Sequence, residues 1–233
     1  KYTVFIDHVQ GDPFAFPSRI RVQVDRDLSG FKDDTTSNPS RSLGTCDFLI
    51  RQFYSSCATF SRGHRGSGKS GLIIIAEPLQ EALERTAMII DPGFVEARFF
   101  MGLPAAGRRI GGRDAEAMFF EELPQIVHSS LFFDQVDSRQ LYRTIQTTED
   151  ANSLRKQLDQ RGLVGFVAND ANLPRASGVD PRPMDSHRAV RFQSPADLRV
   201  EFNLPNRGTI TGMGIPKGVT LIVGGGYHGK STL

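Results

Sequence analysis

Apolar and polar positions alternate most cleanly over residues 19–24, where Ile20, Val22 and Val24 are set against Arg19, Arg21 and Gln23. A period of two with one apolar face predicts a strand that is wet on one side. Tyr2-Thr3-Val4-Phe5-Ile6 predicts a second strand, with Asp12-Pro13-Phe14-Ala15-Phe16-Pro17 as a Pro-rich turn between the two. Residues 25–44, rich in Ser, Thr, Asp and Asn, read as an exposed and partly disordered loop. The period then changes. Phe48, Leu49, Gln52, Phe53 and Cys57 recur at helical spacing over 47–59. Leu72-Ile73-Ile74-Ile75-Ala76 predicts a buried strand, and Leu79, Ala82 and Leu83 predict an apolar stripe on a helix over 78–88.

Residues 95–100 read as a strand running into a Gly-rich loop, 102–113, that carries Arg108, Arg109 and Arg113. Helices are expected over 114–129 and 149–161, the second closed by Gly162. A buried strand is expected over 163–168 and a Pro-rich loop over 173–184. Two short strands, 199–204 and 209–215, flank a turn at Asn206-Arg207-Gly208. A Lys217-Gly218 turn then leads into Val219-Thr220-Leu221-Ile222-Val223, read as one more buried strand. No internal repeat is visible.

The chain has 233 residues and a formal charge of +2. That length gives one large or two modest domains. The charge excludes an overall polycation, so any nucleic-acid argument must rest on local patches. Cys46 and Cys57 match no zinc or haem spacing, which makes a reduced compartment the default. No apolar stretch approaches the roughly 18 residues of a membrane span. A start at Lys1 and a stop one residue after Thr232 are read as the ends of a fragment, with any targeting signal outside it.

The last run, Gly224-Gly225-Gly226-Tyr227-His228-Gly229-Lys230-Ser231-Thr232, fits G-x-x-x-x-G-K-[ST] directly after an apolar run. Glycines let successive N–H groups converge on phosphates. Lys230 is expected to reach the β- and γ-phosphates, Ser231 to hold Mg²⁺, and a helix starting near Gly229 to add its positive end. The same pattern occurs at Gly63-His64-Arg65-Gly66-Ser67-Gly68-Lys69-Ser70, but there the apolar run follows the motif. A P-loop needs strand, loop and helix in that order. Gly68, Lys69 and Ser70 therefore stand as a second phosphate loop of lower rank, against the reading of a flexible basic turn.

The layout over 198–233 is similar to the nucleotide-binding domains of the ABC class, which place short antiparallel strands and a Lys-Gly turn before the P-loop strand. The full motif set resembles a smaller family, the "predicted ATPases of the ABC class". Its features stand here as Asp7-His8-Val9-Gln10-Gly11-Asp12-Pro13-Phe14-Ala15, Pro17-Ser18-Arg19 and Gly66-Ser67-Gly68-Lys69-Ser70-Gly71. They continue as Val95-Glu96-Ala97-Arg98-Phe99, Gly102-Leu103-Pro104-Ala105, Gly107-Arg108, Leu173-Pro174-Arg175 and Gly212-Met213-Gly214-Ile215-Pro216, and end with the Tyr-His P-loop.

The resemblance implies ATP and Mg²⁺ as cofactors and a homodimer with composite sites. One family member acts in mitochondrial RNA editing in kinetoplastids and binds RNA, so RNA or an RNA-processing complex is the implied partner. A mitochondrial setting is implied with it, and a cytoplasmic one otherwise. The acidic Walker B strand, signature motif and catalytic base of the class are expected beyond residue 233, leaving the fragment alone inactive.

The expected fold is α/β: an N-terminal mixed α/β domain over 1–190 leading, over 191–233, into an ABC-type P-loop domain with an antiparallel layer beside the P-loop strand. Arg108, Arg109 and Arg113 are candidate RNA-backbone contacts, against a solvated loop. Arg175, Arg182, Arg188 and Arg191 form a second basic stretch without a base-reading motif. Phe192 and Phe202 are candidates for stacking on adenine, against simple core roles. His228 is weighed as a phosphate contact against an idle loop histidine. Asp7, His8 and Asp12 match no standard metal spacing and are expected to serve a turn. Two other readings stay open: an RNA-binding scaffold in which nucleotide is structural, and a P-loop kinase or transferase.

Overall fold

The computed structural model describes residues 1–180, 182–226 and 229–233. The chain divides into two compact units, Lys1–Thr148 and Glu149–Leu233. The division falls inside one helix, whereas the boundary expected at 190/191 lies within the second unit.

In the first unit the alternating segment is β2 (Ser18–Asp25), paired antiparallel with β1 (Thr3–His8) on one side. After β2 the chain forms α1 (Arg26–Ser29), capped by the Asp25 carboxylate, and then α2 (Pro39–Phe60). The expected loop over 25–44 is thus largely structured. Asn38 accepts the Arg41 N–H and Pro39 opens the first turn, so the helix starts well before its apolar stripe does. Strands β3 (Ile73–Ile74), β4 (Met88–Ile90) and β5 (Phe94–Met101) complete a five-stranded antiparallel sheet in the order β1-β2-β5-β3, with β4 also on β5. Cross-strand pairs Ile20–Phe99, Val22–Ala97 and Val24–Val95 face inward.

No helix forms over 78–88; Leu79 and Leu83 are exposed. The carbonyls of Leu79, Glu81 and Leu83 accept from the guanidinium groups of Arg51 and Arg85. Both arginines are tied to Asp47 on α2, so three carbonyls of the segment are strapped to the helix.

Beyond β5 lie a hairpin, β6 (Ala105–Ala106) with β7 (Arg109–Ile110), and the helix α3 (Gly112–Ala117). One π-type turn over 118–122 joins α3 to α4 (Leu123–Leu131). The last helix, α5 (Ser138–Leu158), is longer than the 149–161 expected; the Asp137 carboxylate accepts the Gln140 N–H ahead of its first turn. Gly162 follows in the left-handed region at φ 65°, as a helix-closing glycine does. The inner sheet face, α2, α4 and the Leu141–Ile145 stretch of α5 share one apolar core, with Phe48, Phe53 and Phe99 buried at its centre.

The second unit holds β8 (Leu163–Ala168), β9 (Arg199–Leu204) and β10 (Gly208–Pro216) in the antiparallel order β8-β10-β9. This is the antiparallel layer expected ahead of the last motif, enlarged by β8, which is half-buried rather than buried. Phe202 is fully buried, edge-on to Phe166 at 5.1 Å, and Arg161 lies 4.4 Å over its ring. The buried Asp150 carboxylate closes the β9–β10 turn by accepting the N–H groups of Asn206 at 2.9 Å and Arg207 at 3.0 Å.

Candidate functional site

The approach to the last glycine loop is fixed from the end of α5. Lys217 donates its backbone N–H to the Gly162 carbonyl at 2.9 Å, and its ammonium pairs with Asp159. Gly218 then turns the chain at φ 112°. The two ends of this clamp are legible separately, as a helix-closing glycine and a Lys-Gly turn. Their pairing is not, because nothing local links residues so far apart.

Residues 219–223 are not a strand. Val219 is 95% exposed and Val223 83%, and no described strand pairs with them. The expected buried strand is corrected for a physical reason. Four apolar residues and Thr220 supply β-propensity but no ladder partner, and an unpaired strand leaves its N–H and C=O groups to water.

The loop itself is exposed. Gly224 sits at φ 155° and Gly229 at φ 75°. Lys230 folds back so that its ammonium donates to the carbonyls of Gly224, at 2.7 Å, and Gly225. Thr232 N–H bonds to Gly229 O at 2.9 Å, closing the first turn after the loop with Ser231 inside it. Gly226 has open space where a side chain would project. Tyr227 and His228 lie outside the described residues. The donor set is thus one ammonium, two hydroxyls and the amides of a glycine-rich turn, a combination that suits a polyphosphate with a hard cation.

The Gly66–Ser70 loop has the same letters and a different build. Four of the five N–H groups from Ser67 to Gly71 already have acceptors: Ser67 bonds to Ala105 O at 2.7 Å, Lys69 to Pro13 O at 2.8 Å, Ser70 to Ser67 O at 3.1 Å and Gly71 to Gly102 O at 2.7 Å. The buried Ser70 hydroxyl bridges the carbonyl and amide of Ala105. A Cβ on Gly68, at φ 57°, would stand 2.4 Å from Pro13 O. This loop is packed from both sides by backbone.

Arg108, Arg109 and Arg113 are all exposed on and beside the β6–β7 hairpin, and among the described residues none makes an ion pair. Gly107 N–H bonds to Ser67 Oγ at 3.0 Å, tying that hairpin to the packed loop. Asp12 accepts the N–H groups of Phe14 and Ala15 within its own turn, and Asp7 accepts from Arg21 at 2.7 Å. Phe202 is core, and Phe192 is half-buried.

A family model described as the N-terminal part of ATPases of the ABC class matches residues 1–134. The chain belongs to the ATPases of the ABC class. A second model, described as their P-loop domain, matches residues 137–233. Among curated proteins, none matches the chain. The P-loop match begins just ahead of α5, so in this ABC-class ATPase the long helix and the three-stranded sheet belong with the glycine loop. Membership gives the chain's P-loop domain nucleotide binding, with Mg²⁺ as its usual companion, and ATPase activity in general. No helix among the described residues is long and apolar enough to cross a membrane.

Proposed function

We propose that this ABC-class ATPase holds MgATP on residues 224–231, hydrolyses it as a homodimer, and couples nucleotide binding to handling of RNA or a ribonucleoprotein. The observation that carries the assignment is the contrast between two loops of one pattern. Around Lys230 the ammonium is met, among the described residues, by glycine carbonyls of its own exposed turn. Around Lys69 the amides of Ser67, Lys69, Ser70 and Gly71 are bonded to protein carbonyls. Lys230 would hold the β- and γ-phosphates, and Ser231 would hold Mg²⁺. When bound, the metal supplies charge neutralisation on the phosphate oxygens.

The RNA part of the proposal is supported by the β6–β7 arginines, which present guanidinium donors free of carboxylates to solvent, the arrangement that suits a phosphate backbone. A mitochondrial setting belongs to the same proposal and is tested by fractionation.

The test uses three variants of the chain, Lys230→Ala, Lys69→Ala and a triple Glu replacement of Arg108, Arg109 and Arg113. Titration calorimetry with MgATP should show binding lost in Lys230→Ala and kept in Lys69→Ala; the reverse order would overturn the assignment. Binding of a mixed-sequence single-stranded RNA should weaken roughly tenfold or more in the triple variant. Sedimentation should show a MgATP-dependent dimer that Lys230→Ala fails to form. If RNA association and dimerisation both survive Lys230→Ala, nucleotide is structural and the protein is a scaffold.

A further inference from the structure

The packed Gly66–Ser70 loop forms one wall of a cavity of about 480 Å³ in the first unit. The opposite wall is the C-terminal half of α2, with Tyr54, Cys57 and Ala58, and the floor is Leu72 and Ile73 at the start of β3. This volume falls in the range of small-molecule sites, roughly 300–1,000 Å³. The lining is mainly apolar, and Lys69 is its lone side chain of fixed charge.

Three observations define what would fit. First, no carboxylate lines the cavity, and Lys69 makes no ion pair among the described residues. Its ammonium leans over the Phe16 ring at 5.6 Å, and that ring packs edge-on against Phe100 at 4.9 Å. Second, the acidic side chains that anchor this loop are already taken: Glu122 accepts from Arg65 and from the Arg62 N–H, and Glu121 pairs with Arg62. Third, the backbone behind Lys69 is held on both sides, by Pro13 O and by the Gly71–Gly102 bond, so the lysine is presented from a rigid base. His64 is held similarly, its Nε2 3.1 Å from Gly68 O, and the Tyr54 hydroxyl has no partner among the described residues. Burial pushes the Cys57 thiol up to about 12, so the thiol stays protonated and contributes surface rather than reactivity.

We propose that this cavity binds a small organic anion with an apolar, ring-sized body, its charge met by Lys69 and its body laid between α2 and β3. None of its lining residues belongs to 224–231, and it uses the glycine motif that nucleotide binding leaves without a ligand. An apolar wall with a single cation favours such a molecule over a polyphosphate, whose several charges would find one counter-charge here and loop amides mostly bonded to protein carbonyls.

The probes are 8-anilinonaphthalene-1-sulfonate and its uncharged relative N-phenyl-1-naphthylamine, titrated by fluorescence into the full chain without nucleotide. The anion should bind one-to-one and roughly tenfold more tightly than the neutral probe. Lys69→Met should erase that preference and leave the neutral probe unchanged, and Lys69→Arg should restore it. Ala58→Phe, on an exposed face of α2, should fill the cavity and weaken both probes. Urea midpoints of each variant, followed by circular dichroism, confirm that the fold is kept. The proposal is overturned if the two probes bind alike, if Lys69→Met leaves the preference intact, or if Ala58→Phe leaves binding unchanged.

Discussion

Glu96 sits in the middle of the outer sheet face with its side chain buried, and it is kept there by three donors. Burial works against its charge, but hydrogen bonds from Gln23, Arg98 and Arg21 outweigh that and hold its pKa below the ordinary 4.5. Arg21 links the arrangement outward, donating also to Asp7 and lying 4.5 Å over the Phe5 ring. The sign of the linkage follows from the direction. A carboxylate whose folded pKa is depressed contributes stability that is complete above its unfolded value and is lost as pH falls through the folded one. Acid unfolding of the first unit should therefore steepen below about pH 4.5. Glu96→Gln should cost about 2 kcal/mol at pH 7, because a buried acceptor of charged donors is weakened. It should also flatten the acid limb. Urea unfolding followed by circular dichroism at pH 7 and pH 3.5 reads both effects, and equal losses at the two pH values would remove Glu96 from the account.

Elements differ in how much of them a local pattern can announce. Strand β2 was legible because Ile20, Val22 and Val24 bury on one face against a partner of matching alternation, β5. The helix start at Asn38-Pro39 was written in the cap but hidden by a polar stretch that looks like a loop. The stripe Leu79, Ala82 and Leu83 has helical spacing, yet Arg51 and Arg85 claim the carbonyls a helix would use. Arg51 comes from α2, distant in sequence, and Asp47 on that helix holds both guanidinium groups, so no period reveals the competition. The two glycine motifs were ranked by the order of their neighbours, an order that the exposed 219–223 segment does not reproduce, and the packing of the first was not readable at all. It rests on Gly102, where a Cβ would stand 1.9 Å from Lys69 O. Gly102→Ala should thus cost more than about 3 kcal/mol, since two backbones must separate. Gly107, at φ 58° in open space, is the control, and its change to Ala should cost about 1 kcal/mol. Thermal midpoints rank the two, and equal losses would mean that the packing around Lys69 is not rigid.

At the scale of the whole chain, two family models tile residues 1–134 and 137–233, and each half carries a glycine motif. Placing the triphosphate on the second alone makes a prediction about where ligand binding is felt. A ligand that binds only the folded state stabilises it by RT ln(1 + [L]/Kd), about 2.7 kcal/mol at a hundredfold excess over Kd. Hydrogen exchange with and without MgATP should show this as slower exchange at Gly229 through Thr232 and in the β8-β10-β9 sheet, whose strands lead into the loop. The clamp of Lys217 on Gly162 and Asp159 gives that effect a route to the end of α5. Amides of Ser67, Lys69, Ser70 and Gly71 should keep their rates, because their protons are already bonded to protein carbonyls whether or not nucleotide is present. Lys230→Ala should abolish the protection while leaving the exchange of those four amides as it was. Slowing confined to the 67–71 loop, surviving in Lys230→Ala, would move the nucleotide to Lys69 and take the assignment of both loops with it.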